Sequence, residues 1–105
     1  MNTQTGPTLD LLMAHQERIR SLCRRYDVYS LQVFGSVARG VGKEGSDVDL
    51  LVRFSRPVGL LHLIRFEREL GEVLGSPVDL VTERALSPYI RTQVLAESRV
   101  VYESS

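Results

Sequence analysis

Two aspartates separated by one residue are the part of this sequence with the clearest capacity for chemistry. Asp47 and Asp49 open an apolar run that continues to Phe54. Side chains alternate between the two faces of a strand, so both carboxylates would project from one face while Val48 and Leu50 enter a core. Paired carboxylates repel each other and lose solvation, and a hard divalent cation held by oxygen ligands is the usual compensation. The pair therefore predicts a metal site.

A glycine-serine turn precedes the aspartates. Gly35 and Ser36 follow the apolar run 28–34 and lead into residues 36–39, a helical turn that ends at Gly40. Backbone N–H groups at such a turn can bind phosphate. A metal site beside a phosphate site is typical of a nucleotide-binding protein. Taken alone, each motif has an ordinary explanation, because aspartates cap turns and Gly-Ser pairs often connect a strand to a helix.

A third carboxylate lies on a later apolar run. Asp79 stands between Val78 and Leu80, in the same alternation as Asp49. It would join the first two aspartates if its strand lies beside theirs. Three carboxylates on adjacent strands can hold two Mg²⁺ ions, which together contact the attacking and leaving oxygens of a phosphoryl transfer. Asp79 could also accept the proton of an attacking hydroxyl.

The elements that must position these residues alternate along the chain. Apolar residues at helical spacing predict three long helices, at residues 9–25, 60–74 and 87–97. Runs rich in β-branched residues predict four strands, at residues 28–34, 47–54, 78–82 and 99–102. This order predicts an α/β (α+β) fold, a mixed β-sheet flanked by helices, with the helices on one face and the carboxylates on the other.

Length and composition limit the possible functions. The chain has 105 residues, which fits a single domain over residues 1–105 with residues 1–6 expected to be disordered. The net charge is zero, so we expect no direct binding of nucleic acid. No apolar run is long enough for a membrane span. Cys23 is the single cysteine, which excludes an internal disulfide and fits a cytoplasmic protein.

Together these motifs resemble those of a known family. Gly35-Ser36, a spacer of ten residues, and Asp47-Val48-Asp49 are similar to the signature of the polymerase-β-like nucleotidyltransferase superfamily. The chain resembles above all the minimal nucleotidyltransferases, which are short members of about this length. The resemblance covers residues 28–81 and implies a mixed sheet flanked by helices.

The resemblance also implies roles for individual residues. Asp47, Asp49 and Asp79 would be the catalytic and Mg²⁺-binding carboxylates, and Gly35 and Ser36 would hold the triphosphate of ATP. The reaction would transfer AMP to a hydroxyl group, with pyrophosphate leaving. The partner implied is a HEPN-class toxin protein, modified on a tyrosine, so that this chain would be the antitoxin of the pair.

Several alternatives stay open at this point. Arg39 could bind a phosphate or lie on the surface, and Ser46 could bind the nucleotide or only orient Asp47 through the loop backbone. The acceptor could be a small molecule such as an antibiotic rather than a protein. The chain could also neutralise its partner by binding alone, without catalysis.

A partner surface would require exposed apolar residues. The candidates are the wide apolar stripe of residues 60–74 and the side chains of Tyr89, Ile90 and Leu95. For most of them the simpler expectation is an ordinary position in the core.

Overall fold

A four-stranded mixed sheet forms the centre of the computed structural model, which describes residues 9–41 and 47–104. The helices are α1 (Leu9–Ala14), α2 (Gln16–Arg25), α3 (Gly35–Ala38), α4 (Leu60–Leu74) and α5 (Pro88–Glu97). The strands are β1 (Val28–Phe34), β2 (Val48–Phe54), β3 (Val78–Thr82) and β4 (Arg99–Glu103), and a 3₁₀ turn spans Glu83–Ala85. The predicted disorder of residues 1–6 falls outside the described residues.

The order of the strands across the sheet is β3-β2-β1-β4. β1 runs antiparallel to both β2 and β4, whereas β2 and β3 are parallel. Parallel strands need a crossover connection, which α4 provides between β2 and β3. The predicted mixed sheet is thereby confirmed. Within the described part of the chain, no helix has the length and apolarity that a membrane span requires.

The main core lies between one face of the sheet and the helices α2 and α4. Alternation along β2 buries Val48, Leu50 and Val52 on this face, as predicted. α4 contributes the fully buried side chain of Phe66, and α2 contributes that of Ile19. This core holds β2 rigidly, so the residues on its opposite face have a fixed position.

The prediction that all helices lie on one face is wrong. A second cluster, formed by Leu51, Leu86 and Val94 with Phe34 and Val81, lies on the other face and includes a residue of α5. The apolar residues of β2 run without interruption from position 50 to 52, so both faces of that strand need cover. α5 therefore packs on the face that carries the carboxylates.

The first predicted helix is in fact two. α1 and α2 are separated at His15, whose φ of −106° and ψ of 19° interrupt the helix. His15 and Gln16 are also where the apolar spacing fails. The break therefore coincides with the interruption of the apolar stripe.

Cys23 is expected to lower stability at alkaline pH. Its side chain is fully buried, and burial raises the pKa of the thiol to about 12. An unfolded cysteine ionises near pH 8.5, so stability is retained below that pH and is lost as the pH rises towards the folded pKa. Between pH 8 and pH 10.5 the free energy of unfolding should fall by about 2.5 kcal/mol more in the native protein than in Cys23→Val. Equal losses in urea titrations would contradict the raised pKa.

Candidate active site

Asp49 and Asp79 are direct neighbours in the sheet. They are register partners on the parallel strands β2 and β3, so their side chains leave the same face about 4.8 Å apart along the hydrogen-bonding direction. Asp47 is exposed and lies immediately before β2. The structure thus brings Asp79 beside Asp49, which the sequence could predict only on the assumption that these two strands are adjacent.

The carboxyl group of Asp49 is the electrostatic centre of this site. Burial raises its pKa, and the negative charges of Asp79 and Asp47 raise it further. The guanidinium of Arg39 lowers the pKa, while Glu97 adds a smaller increase. The carboxylates therefore outnumber the cation near Asp49, and added positive charge would stabilise the ionised form.

The chemistry of these donors fits Mg²⁺, which prefers carboxylate and phosphate oxygens. Among the described residues, no three His, Cys, Asp or Glu side chains converge closely enough to form a complete cage for an ion. Mg²⁺ ordinarily takes one or two carboxylates and completes its shell with water and substrate phosphates. Asp47, Asp49 and Asp79 would therefore hold the metal together with a bound nucleotide.

The glycine turn lies directly against Asp49. Phe34, the last residue of β1, is the register partner of Asp49, and the chain then turns at Gly35 with a φ of +74°. A Cβ atom on Gly35 would lie 2.3 Å from Oδ2 of Asp49. Glycine is needed here both for its backbone conformation and because the carboxylate leaves no room for a side chain. The Gly-Ser and Asp-x-Asp motifs, separated in sequence, thus meet in one place.

The single turn of α3 carries the other predicted phosphate ligands. Val37 and Ala38 are buried and hold this turn against the sheet, while Ser36 is half-buried and Arg39 is exposed. Ser46, the last predicted nucleotide ligand, lies outside the described residues. The structure therefore places Gly35, Ser36 and Arg39 on one turn beside the carboxylates.

Glu97 is a residue of this site that sequence analysis did not find. The Gly35 N–H donates a hydrogen bond to Oε2 of Glu97 at 3.0 Å. The guanidinium of Arg39 contacts the same carboxylate, with Nη1 3.2 Å from Oε2. A weak signal was present, because an acidic residue at the end of a helix is unfavourable for the helix dipole. The contact itself depends on the pairing of β4 with β1, which local pattern does not reveal.

The candidate partner residues divide into two groups. Phe66, Leu70 and Leu74 of α4 are core residues, as the simpler expectation held. That expectation is wrong for the first turns of α4 and α5, where Leu60 is 71% exposed and Tyr89 is 93% exposed. Leu61, Ile64 and Ile90 are exposed as well.

The mixed sheet flanked by helices is what the nucleotidyltransferase resemblance implied. The chain belongs to the nucleotidyltransferase domain family of enzymes, whose sequence profile matches residues 16–101. This range includes β1 to β3 and every predicted site residue.

The resemblance to minimal nucleotidyltransferases is likewise confirmed. A solved structure described as a candidate minimal nucleotidyltransferase is 45% identical, with a TM-score of 0.77, and the match covers 89% of this chain and 95% of that chain. The protein adenylyltransferase MntA of Thermococcus cleftensis is 44% identical over 92 residues, which cover 88% of each protein.

A more distant likeness supports the fold alone. A chain from the complex of a tri-AMPylated HEPN toxin of Shewanella oneidensis with an MNT antitoxin is 21% identical, with a TM-score of 0.65. The match covers 89% of this chain and 73% of that chain.

Proposed function

We propose that this chain transfers AMP from ATP to a tyrosine hydroxyl of a partner HEPN-class toxin and acts as the antitoxin of the pair. The observation that carries the proposal is the contact between Gly35 and Asp49, with Asp79 beside them on β3. It joins a turn suited to phosphate and a pair of carboxylates in one site. The name of the Thermococcus cleftensis relative, a protein adenylyltransferase, supports a protein as the acceptor.

Each part of the site has a role in this reaction. Mg²⁺, bound by Asp47, Asp49 and Asp79, would neutralise the charge that develops on the phosphate as the bond to pyrophosphate breaks. Gly35 and Ser36 would bind the triphosphate, with Arg39 and Ser46 as further ligands, and so hold the α-phosphate in line for attack.

An acceptor hydroxyl group can reach the carboxylate of Asp79. Its side chain is exposed, and β3 is an edge strand of the sheet. A hydroxyl group of another protein could therefore approach from the edge, where Asp79 could accept its proton. Exposed Leu60 and Leu61 at the start of α4 are apolar surface of the kind that a protein partner covers. The open sheet edge and the exposed apolar surface both favour a protein acceptor over a small molecule bound in an enclosed pocket.

The test is a transfer reaction with purified protein, Mg²⁺, the HEPN-class toxin and ATP labelled on the α-phosphate. We expect the label on a toxin tyrosine, located by mass spectrometry, and no label from γ-labelled ATP. Asp47→Asn should abolish the transfer. Label in a small molecule without the toxin would favour the antibiotic-type alternative. Full neutralisation of the toxin by Asp47→Asn in cells would favour action by binding alone.

A further inference from the structure

We propose that Glu97 is a positioning residue that holds the turn at Gly35 and the Arg39 guanidinium in place, so that the turn and the other donors of Arg39 can bind the triphosphate of the nucleotide. The inference rests on the proposed nucleotide chemistry of the site. It assigns a role to α5, an element that neither the Gly-Ser motif nor the aspartates include.

The sheet register determines where Glu97 lies. β1 and β4 are antiparallel, and Val33 of β1 is opposite Arg99 of β4. Gly35 follows Val33 by two residues, and Glu97 precedes Arg99 by two residues, so both lie at the same end of this strand pair. Ser98 alone connects α5 to β4, and its backbone is extended with a φ of −69° and a ψ of 153°. Glu97 thus has little freedom to move away from the turn.

Both oxygens of the Glu97 carboxylate are engaged. Oε2 accepts the Gly35 N–H at 3.0 Å and lies 3.2 Å from Nη1 of Arg39, while Oε1 lies 3.3 Å from the same Nη1. The Glu97 side chain is only 20% exposed, whereas that of Arg39 is 52% exposed. The contact therefore ties a long, exposed cation to a fixed, largely covered anion.

The contacts with Glu97 use one nitrogen of the Arg39 guanidinium. This nitrogen is Nη1, and the Nε and Nη2 groups make no hydrogen bond among residues 9–41 and 47–104. An anchored guanidinium loses less side-chain freedom when it binds phosphate, because part of the ordering cost is met before the ligand arrives. Arg39, held in this way by Glu97, is therefore suited to bind a phosphate of the nucleotide.

A carboxylate at position 97 is costly for other reasons. It ends α5, where the helix dipole disfavours negative charge, and it lies near the carboxylates around Asp49. The pairing with Arg39 offsets these costs.

A different role for Glu97 makes the opposite prediction. If Glu97 occupied the phosphate site and competed with nucleotide, removal of its charge would strengthen nucleotide binding.

The test measures binding of a non-hydrolysable ATP analogue in the presence of Mg²⁺ by calorimetric titration. Glu97→Gln keeps the shape and can still accept the Gly35 N–H, but it loses the ionic contact, so binding should weaken about tenfold. If Glu97 acts through Arg39, the double variant Glu97→Gln/Arg39→Ala should bind no more weakly than Arg39→Ala alone.

The matched control is Glu83→Gln. Glu83 pairs with Arg53 at 3.0 Å and is partly exposed, but Arg53 lies four residues along β2 from Asp49, about 13 Å away. This variant should bind the analogue like the native protein. Thermal unfolding of each variant confirms that the protein analysed is folded.

Two results would overturn the inference. Glu97→Gln could bind the analogue as tightly as the native protein or more tightly, or the effects of the two substitutions could simply add. Because the readout is binding, it is independent of the acceptor. Native protein that binds the analogue but labels no toxin would refute the proposed function and leave the role of Glu97 to be decided by these affinities.

Discussion

Replacing Asp49 with asparagine is expected to lower AMP transfer at least about a thousand-fold and to raise the melting temperature of the metal-free protein. The loss corresponds to about 4 kcal/mol of transition-state stabilisation, the scale of one metal-binding carboxylate. Asp49 lies between Asp79 and the Gly35 turn, so its carboxylate connects the two parts of the proposed site.

The gain in stability has a separate physical cause. Burial and the charges of Asp79 and Asp47 raise the pKa of Asp49, which means that the fold disfavours its ionised form. A raised folded pKa stabilises the fold at low pH, and this contribution is lost as the pH rises through that pKa. Above its raised pKa the ionised carboxylate is destabilising, and a neutral asparagine relieves that cost. Such opposition between activity and stability is common at functional sites.

The measurement combines labelled transfer with thermal unfolding, each with and without Mg²⁺ and ATP. Ligands should raise the melting temperature of the native protein more than that of Asp49→Asn. Glu72→Gln, which removes an exposed carboxylate from α4, should change neither activity nor ligand response. Retained transfer in Asp49→Asn, or a lower melting temperature without metal, would refute this account.

Replacing Gly35 with alanine is expected to reduce nucleotide binding and transfer about a hundred-fold and to destabilise the fold by about 1–3 kcal/mol. Two effects combine at this position. The φ of +74° is unfavourable for any residue with a Cβ atom, and that atom would lie 2.3 Å from Oδ2 of Asp49. Either the turn or the carboxylate must move, and both belong to the proposed site.

Gly75→Ala separates these two effects. Gly75 ends α4 with a φ of +66°, and a Cβ atom there would meet nothing within 4 Å. This substitution should cost about 1 kcal/mol of stability, from backbone conformation alone, and leave transfer intact. Calorimetric titration and unfolding of both variants make the comparison. If Gly35→Ala behaved like Gly75→Ala in both assays, the close approach to Asp49 would have no functional meaning.

Local signals were sufficient for most of the regular elements. β1, β3 and α4 have the predicted bounds because glycine or proline flanks them and because β-branched or periodic apolar residues fill them. The motifs also placed Asp49 and Gly35 in one site before any pairing of strands was known. These features depend on residues close together in the chain.

The features that sequence analysis missed depend on distant pairing. The contact of Glu97 with Gly35 needs β4 beside β1, and the cover over Leu51 needs α5 on the second face of the sheet. The apolar run at residues 50–52 and the acidic end of α5 are local signals, but neither identifies the distant element that makes the contact. The break at His15 is a smaller case, since the failed apolar spacing was visible but its consequence was not.

The pairing of β4 with β1 also bears on when the site can form during synthesis. Arg99 lies opposite Val33, so the last strand of the sheet joins a strand made much earlier. The ribosome synthesises the Gly-Ser turn, Asp47 and Asp49 well before the residues that fix Glu97 in place. Glu97 can therefore reach the turn only after β4 has paired with β1, and we expect nucleotide binding at full strength only from that stage of folding.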